Sequence, residues 1–479
     1  MSRIKSYIAL LLALLTLLPL AACGTADDDK DDYIKGQSAG KELGQTAAAD
    51  DIFTLNCNKS YSMNPLTATN TNNQLVCCLV YENIVEVDNS FEVKPNVVSE
   101  WSTEDGSRWT LKVASGHTFH NGASLTATDV AYSIQLATRS ERFRARLTCI
   151  AGCSASDSET VVINLAKKNM MLPSLLSIPV IQYGTGNQPY PGGSGPYQYA
   201  EDYNSLTVYQ KHKNAATMPL KTIYLKAYVG AEETMSAFAD SLIDMVLNDP
   251  SSTTNIGYGS ANDIRGFNTT NMHYIVFNSY STNLKNDVLR FAMNYAFDRD
   301  YIVSQLGGYA TAANLPINPA SNLYNESYAK QFNYGLNKVQ EMLTNAGMKD
   351  YDGDGFLEIK NGEELIEIDI NLLVYSGSTV KVNAAKKFAE DMKSLGLQVT
   401  VNKQDWSNYK KLLEAGNYDM CYCEVRLGGD FDLSKLLSAG ASLNYGAVSD
   451  TQLDELIAAY LAANDDERKT ACGNMCPYI

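Results

Sequence analysis

The segment from Ile366 to Val401, IEIDINLLVYSGSTVKVNAAKKFAEDMKSLGLQVTV, carries a strand pattern, a helix pattern and a second strand pattern in succession. Its two outer parts alternate apolar and other residues, and its middle part repeats apolar residues at helical spacing. Gly396 follows where the C-terminus of a helix favours a left-handed residue. The apolar positions are Ile366, Ile368, Ile370, Leu372 and Val374, then Ala385, Phe388, Ala389 and Met392, then Leu397, Val399 and Val401. This order predicts a βαβ unit with a parallel strand pair and a right-handed crossover, and therefore an α/β protein.

The length and charge of the chain narrow the classes of protein to which it can belong. At about 150 residues per domain, its 479 residues are enough for two or three packed cores. The formal net charge is −16, and a chain of this charge lacks the basic surface with which proteins bind nucleic acid backbones. We therefore expect more than one lobe and no nucleic acid partner.

The N-terminus is typical of an exported protein. Arg3 and Lys5 precede an apolar run that is shorter than the ~20 residues needed to span a bilayer and is broken by Pro19. We interpret residues 1–22 as a signal peptide that is removed from the mature protein.

The end of this run resembles the bacterial lipobox, because two small residues precede Cys23. The resemblance implies cleavage before Cys23 and lipidation of its thiol, with ordinary signal cleavage as the alternative. Residues 23–50 are rich in acids and have no apolar periodicity, so they are predicted to be a flexible tether. The protein is thus predicted to be extracytoplasmic and lipid-anchored to the cell membrane.

Neither the histidines nor the cysteines have the spacing of a transition-metal site. His117 and His120 lie three residues apart on a predicted extended segment, which directs their side chains to opposite faces. The nine cysteines that remain after Cys23 include no zinc-knuckle CxxC pair and have no histidine near any close pair. We therefore expect no metal, no cofactor, and mostly buried free thiols that behave as small apolar side chains.

One acidic stretch leaves two interpretations open. Asp350, Asp352 and Asp354, followed by Gly355, match the D-x-D-x-D-G start of a calcium-binding loop. The twelfth position, however, is Asn361 instead of the bidentate glutamate that completes such a loop. The sequence favours a plain turn over a calcium loop at Asp350–Asp354.

A series of ordered motifs runs along most of the mature chain. The longest is EWSTEDGSRWTLKVASGHTFHNGASLTATDVAYSI, from Glu100 to Ile134, with an acid–Gly turn, a W-T-L-K strand, an F-H-N-G turn and a helix that opens A-T-D-V. Together the motifs resemble the extracytoplasmic solute-binding proteins of peptide/nickel-type ABC importers. These are the family 5 solute-binding proteins, and the chain resembles the oligopeptide-binding lipoproteins of that family. The other motifs are Asn64-Pro65-Leu66, GGSGPYQY at 192–199, the segment 271–303, NAGMKDYDGDGFLE at 345–358, and LEAGNYDM at 413–420.

The resemblance implies a periplasmic-binding-protein-like type II fold, in which two α/β lobes are joined by a hinge and lobe one carries a small subdomain. We expect the hinge to be crossed near Phe267–Asn278 and again near the C-terminus. Since members of the family continue into further elements of lobe I, the C-terminus is expected to be incomplete. The implied division is residues 51–270 for lobe I, about 82–185 for its subdomain, 271–470 for lobe II and 471–479 for the start of the return to lobe I.

The implied function is capture of oligopeptides or a related small solute in an interlobe cleft and delivery to ABC permease subunits in the membrane. A nickel-chelate or haem binder on the same fold is the alternative. A cell-surface hydrolase is a weaker hypothesis, because the chain lacks the G-x-S-x-G, H-E-x-x-H and Walker patterns. We therefore expect no enzyme activity.

Four residues are predicted to bind the ligand: Trp406, Tyr422, Arg426 and Asp430. In a strand from Met420 to Leu427, Tyr422 and Arg426 share one face with Met420 and Glu424, which we interpret as a cleft wall. Cys421, Cys423 and Val425 share the opposite face, which we interpret as the core face.

The resemblance supplies the roles of these residues. Trp406 matches a tryptophan that lines the pocket of peptide binders. The aspartate with which those proteins pair the ligand's amino terminus has no counterpart at its usual position, and the resemblance suggests Asp430 as its substitute. Arg426 is suited instead to a ligand carboxylate, because its planar donors match two oxygens.

Overall fold

A computed structural model of the chain describes residues 52–252 and 262–479. The predicted signal peptide, the tether and Cys23 lie outside the described residues and stay predictions. Within the described part, no helix is long and apolar enough to cross a membrane.

The described residues form two compact units. The first comprises residues 52–249, 262–269 and Gly428–Asp430, and the second comprises residues 250–252, Thr270–Leu427 and Phe431–Ile479. Apart from the short stretch at 250–252, the chain therefore passes between the units at Thr269–Thr270 and again around Gly428–Asp430. The second of these crossings differs from our expectation of a crossing near the C-terminus.

In the first unit, the described elements are ten strands and three α-helices, joined by short 3-10 turns at Leu172–Leu175 and Ala215–Thr217. They are β1 (Thr54–Asn56), α1 (Thr71–Val80), β2 (Val85–Val87), β3 (Val93–Pro95), β4 (Val98–Thr103), β5 (Arg108–Val113), α2 (Ala127–Ala137), β6 (Ile150–Ala155), β7 (Thr160–Leu165), β8 (Tyr197–Tyr199), β9 (Ser205–Val208), β10 (Thr222–Lys226) and α3 (Gly230–Ala239).

These strands form three sheets, of order β1-β10-β9-β8, β2-β3 and β4-β5-β7-β6. On β5, Trp109, Leu111 and Val113 are buried, as the alternation of a strand with one covered face requires. They join one continuous apolar core that extends to Leu55 on β1 and Tyr197 on β8. The sheet that contains β5 lies within the predicted subdomain at 82–185, which stays a prediction.

In the second unit, six strands and nine α-helices are described, together with 3-10 turns at Met293–Tyr295, Lys330–Phe332 and Cys476–Tyr478. They are β11 (Asn271–Phe277), α4 (Asp287–Ala292), α5 (Arg299–Gln305), α6 (Glu326–Ala329), α7 (Leu336–Asn345), β12 (Glu358–Asn361), β13 (Glu364–Glu367), β14 (Asp369–Tyr375), α8 (Thr379–Ser394), β15 (Gln398–Gln404), α9 (Trp406–Ala415), β16 (Met420–Arg426), α10 (Ser434–Leu437), α11 (Thr451–Ala462) and α12 (Asp465–Met475).

The predicted βαβ unit is confirmed as β14, α8 and β15, with the two strands parallel. The sheet has the order β11-β16-β14-β15, in which β14 is also parallel to β16, and β11 is antiparallel to β16. The first strand begins at Asp369 and not at Ile366, which instead pairs with Ile359 in the β12–β13 hairpin. Ile366 is 40% exposed. The sequence did not reveal the boundary between the two strands, because the apolar alternation runs through both of them.

Both faces of β16 are covered, which corrects our interpretation of this strand. Met420 and Tyr422 pack with Leu372 and Phe388 in one apolar cluster, whereas Cys421 and Cys423 pack with Tyr409 and Tyr418 in another. Only the last residues of the strand are accessible to solvent, where Glu424 is exposed and Arg426 is half-buried. A strand inside an α/β sheet is buried on both faces, so the alternation of polar groups did not identify an exposed face.

The C-terminal residues belong to the second unit and not to a return to lobe I. Helix α12 packs against α11, and its Cys472 and Met475 are buried. The Cys472 thiol lies 3.6 Å from the carbonyl oxygen of Leu323, also in the second unit. Residues 471–479 thus comprise the end of α12 and a 3-10 turn within the second unit.

Candidate ligand-binding site

The candidate site lies at the carboxyl edge of the second unit's sheet. Strands β14, β15 and β16 run in the same direction, so their last residues, Tyr375, Gln404 and Arg426, lie at one edge. Open α/β sheets bind ligands just beyond the carboxyl ends of their strands, where side chains and helix starts converge. Two of the predicted site residues, Trp406 and Arg426, are at this edge.

Trp406 is the first residue of helix α9, directly after β15. The Asp405 side chain caps this helix and accepts a hydrogen bond of 2.9 Å from the backbone N–H of Asn408. The Trp406 ring is stacked on Tyr409 at 5.7 Å between centroids, and Tyr375 meets it edge-on at 5.3 Å. Since Tyr409 is buried and Trp406 is 42% exposed, a fixed aromatic ring is presented to solvent.

Tyr422 lies behind this edge and not on it. Its side chain is 2% exposed, and its hydroxyl lies 3.3 Å from Nδ1 of His273 on the neighbouring strand. Burial raises the pKa of the Tyr422 phenol, with the Glu424 charge as a smaller cause in the same direction. In this structure, Tyr422 is placed to support the end of the sheet from within the core.

The exposed end of β16 carries a group of charges. The Glu424 carboxylate lies 2.8 Å from Nζ of Lys381 at the start of α8 and 3.6 Å from Nε2 of His273. Burial alone would raise the pKa of Glu424, but the charges of Lys381 and His273 outweigh it and lower this pKa. Arg426 follows two residues later, at the end of the strand, opposite Asn271 of β11.

Asp430 belongs to the first unit. It is 3% exposed, and its Oδ2 accepts a hydrogen bond of 2.8 Å from Nδ2 of Asn169. Gly429 allows this approach, because a Cβ there would lie 2.6 Å from the carbonyl oxygen of Ser174. The structure thus places Trp406, Tyr422 and Arg426 in one unit and Asp430 in the other.

A buried charged cluster in the first unit is absent from the sequence predictions. The two carboxylate oxygens of Glu82 lie 2.9 Å from Nδ1 of His117 and 3.3 Å from Nε2 of His212. Burial alone would raise the pKa of Glu82, but its hydrogen bonds to the two histidines lower it to about 2. These residues are 35 and 130 positions apart, so no local spacing indicated the cluster.

His120 has a different environment from His117, as the predicted extended segment implies. Its Nε2 lies 3.1 Å from the carbonyl oxygen of Gly195, and its ring meets Tyr209 edge-on. Burial lowers the pKa of His120. The two imidazoles therefore make separate structural contacts within the first unit.

Comparison with known proteins identifies the family. A family model described as bacterial extracellular solute-binding proteins, family 5, middle, matches residues 92–432, which is more than half of the chain. The chain belongs to this family. Members of this family are extracytoplasmic proteins that bind solutes for transport and are not enzymes. The match confirms the predicted family.

Individual relatives extend the likeness over nearly the whole chain. The chain is 24% identical to the oligopeptide-binding protein AppA of Bacillus subtilis over 493 aligned positions, which cover 95% of this chain and 88% of AppA. The structure of the murein tripeptide-binding protein MppA matches with a TM-score of 0.73 at 17% identity, covering 90% of each chain. A nickel ABC transporter structure from Bacillus halodurans matches with a TM-score of 0.70 at 21% identity, covering 89% of this chain and 90% of that one. These structures confirm the predicted α/β type II fold.

Proposed function

We propose that this family 5 protein captures oligopeptides and delivers them to the permease of an ABC importer. The observation that carries the proposal is that an exposed tryptophan, held by two tyrosines, and an arginine both lie at the carboxyl edge of one sheet. The naming of AppA for oligopeptides and of MppA for a murein tripeptide supports peptides as the ligand class.

The chemistry of the edge suits a peptide. The exposed part of the Trp406 ring offers apolar area to a ligand side chain with little loss of rotamer freedom, because Tyr375 and Tyr409 already hold the ring. The guanidinium of Arg426 offers paired donors to a terminal carboxylate or to backbone carbonyls. Tyr422 acts from behind by holding the strand. The predicted role of Asp430 stays a prediction, because its carboxylate is buried in the first unit and bound by Asn169.

Direct coordination of nickel is less consistent with the side chains than peptide binding is. Imidazole is a preferred ligand of nickel, and the chain has four histidines. His117 and His212 contact Glu82, His120 contacts Gly195, and His273 contacts Tyr422 and Glu424. A site that coordinates a bare nickel ion through these imidazoles would therefore have to break contacts that the fold already makes.

The ligand is tested by native mass spectrometry of the purified protein, followed by calorimetry with tri- to pentapeptides. We expect co-purified masses that differ by amino-acid residues. Arg426→Ala and Trp406→Ala should each weaken peptide binding by about tenfold or more, which is about 1.4 kcal/mol. Arg139→Ala and Tyr280→Ala are matched controls, because both residues are exposed and lie outside the edge.

Three outcomes would contradict the proposal. A co-purified metal chelate or haem, without peptide, would replace the ligand class. Unchanged affinity in both edge variants would remove the carboxyl edge from the site. Equal losses in the control variants would show that the effect is not local.

We also propose that the mature protein is held at the cell membrane through lipid on Cys23 and a tether at 23–50. The lipobox-like sequence before Cys23 supports this anchoring. Cys23→Ser should release the protein from the membrane fraction and abolish labelling by a fatty acid, whereas Cys149→Ser, in the folded first unit, should do neither. Retention of the label in Cys23→Ser would exclude this anchor.

A further inference from the structure

Four carboxylates converge in the connection between α7 and β12, which we call the acidic loop (residues 350–358). One oxygen from each lies within 4.8 Å of the others, and the four are Asp350, Asp352, Asp354 and Glu358. Among the residues that the structure describes, no ion pair reaches any of the four. Lys360, which is near in sequence, lies over the ring of Tyr351 instead. Lys349 also lies over this ring, so the four carboxylates concentrate negative charge without a direct ion pair to either lysine.

The backbone of the acidic loop orders its own acids. The Asp350 carboxylate accepts hydrogen bonds from the N–H groups of Gly353 at 2.6 Å and Gly355 at 3.0 Å. Asp352 and Asp354 each use one oxygen to accept from the N–H two residues later, which leaves their second oxygens outside these bonds. Gly355 has a φ of +97°, and calcium loops place a glycine at this sixth position for the same sharp turn.

Glu358 provides the observation that goes beyond an acidic turn. Its side chain is fully buried, and Oε2 accepts a hydrogen bond of 2.7 Å from the backbone N–H of Tyr351. Its second oxygen, Oε1, is buried and accepts no hydrogen bond from the described residues. A buried carboxylate oxygen without a partner is costly, and this one belongs to a side chain that reaches the three aspartates.

The direction of the Glu358 side chain is set by the backbone. Its N–H donates to the carbonyl of Lys349 at 3.1 Å, and its carbonyl accepts from the N–H of Lys349 at 3.3 Å. This backbone pairing of Lys349 with Glu358 closes the loop just before Asp350, the first acid. Glu358 is the ninth residue counted from Asp350. Calcium loops commonly use position nine, often through water.

We propose that the acidic loop is a calcium site whose ligands are Asp350, Asp352, Asp354 and Glu358. All four offer oxygen, which suits a hard cation and not a transition metal. Three of them are at least partly open to solvent, so water completes the six to eight ligands that Ca²⁺ accepts in flexible geometry, whereas Mg²⁺ demands a near-ideal octahedron. Because position twelve is not glutamate, we expect a dissociation constant of about 10⁻⁴–10⁻³ M, the range of extracellular modules.

The position of the loop gives calcium a structural effect. The N–H of Leu357 donates to the carbonyl of Gly396 at 2.7 Å, so the acidic loop is attached to the turn between α8 and β15. Bound calcium then holds together the connection into β12 and the end of the βαβ helix. A ligand that binds only the folded state stabilises it by an amount that grows with the logarithm of its concentration above the dissociation constant, so the second unit should melt at a higher temperature with calcium.

The test uses the purified full chain after treatment with a chelator. Terbium is the probe, since Tyr351 lies in the loop and should sensitise its luminescence, and calcium should displace it at millimolar concentration. Calorimetry with CaCl₂ should show one site, MgCl₂ should bind at least tenfold more weakly, and a few millimolar calcium should raise the melting temperature by about 2–4 °C.

Variants assign the signal to the loop. Asp352→Asn and Glu358→Gln should each weaken calcium binding by at least tenfold and remove the thermal shift. Glu363→Gln is the matched control, because it removes one charge from an exposed position in the adjacent hairpin and should leave both unchanged. If Glu358→Gln does not fold, the exposed Asp352→Asn variant decides.

The proposal is overturned if chelator-treated protein gives no sensitised luminescence and no thermal shift. It is also overturned if Glu363→Gln reduces binding as much as Asp352→Asn, because diffuse attraction to an acidic surface would then explain the signal. Equal binding of magnesium and calcium would overturn the assignment of the metal.

Discussion

The buried pairing of Glu82 with His117 and His212 predicts a specific dependence of stability on pH. Glu82 is 8% exposed, and its hydrogen bonds lower its pKa from an ordinary 4.5 to about 2. At about 1.4 kcal/mol for each pH unit, this difference corresponds to about 3 kcal/mol of stability at neutral pH. We therefore expect Glu82→Gln, which keeps the shape but removes the charge, to lose up to about 3 kcal/mol at pH 7.

The sign follows from proton binding. Between pH 4.5 and about 2 the unfolded chain binds a proton at Glu82 that the folded protein does not, so folding is weakened as pH falls through this window. The stabilisation is fully present above pH 4.5 and is lost towards pH 2. The difference between wild type and Glu82→Gln should therefore shrink from about 3 kcal/mol at pH 7 to about 1 kcal/mol at pH 3.

The assay is urea unfolding at a series of pH values, followed by the fluorescence of Trp101 and Trp109 in the first unit. Glu86→Gln is the control with the opposite sign, because burial raises the pKa of Glu86. The protonated Glu86 carboxyl is favoured in the folded protein at low pH, and this contribution to stability is lost as the group ionises at higher pH. Its replacement should therefore not destabilise the protein at pH 7. A difference for Glu82→Gln that stays constant from pH 3 to pH 7 would refute the charge argument and leave packing as the cause.

Three further substitutions test the packing of the two units. Phe388→Ala should cost about 3–5 kcal/mol in unfolding experiments, because its buried ring is stacked on Phe297 at 4.2 Å; a cost equal to that of truncating an exposed phenylalanine would contradict this. Gly195→Ala should cost about 1–3 kcal/mol, since its Cβ would lie 2.5 Å from the Val80 backbone, whereas Gly152→Ala, with open space around it, should be nearly neutral in the same melts. Gly429→Ala should destabilise the first unit by a similar amount through its clash with Ser174, and an unchanged melting profile would show that this segment is not held there.

The βαβ unit was predictable from sequence because its stabilising contacts are local. Apolar residues of α8, such as Phe388 and Met392, return at helical spacing, and those of β15 alternate. Pattern and fold therefore agree from β14 to β15. The error at Ile366 has the same origin, because the alternation continues through a hairpin and a strand without a signal at their boundary.

The predicted site was only partly predictable, because burial depends on elements that are distant in sequence. Tyr422, Glu424 and Arg426 share one face of β16, and the sequence contains no sign that Tyr422 packs in the apolar core while Arg426 lies at the end of the strand. Neither does the sequence show that His273 of β11 meets the Tyr422 hydroxyl, since 149 residues separate the pair. The position of Trp406 was easier to predict, because the end of β15 and the capping Asp405 are adjacent to it in sequence.

The two charged clusters of the chain show why burial must be combined with partners before a carboxylate is assigned a role. Both oxygens of Glu82 are bound by imidazoles, so the fold itself satisfies this buried charge and the group contributes to stability. Glu358 is equally inaccessible, yet one of its oxygens accepts nothing from the described residues, and its carboxylate lies within 4.8 Å of three other acids. A cation from solution would satisfy the oxygen that the protein leaves without a partner, and this is why the same residue type is a structural support in the first unit and our proposed metal ligand in the second.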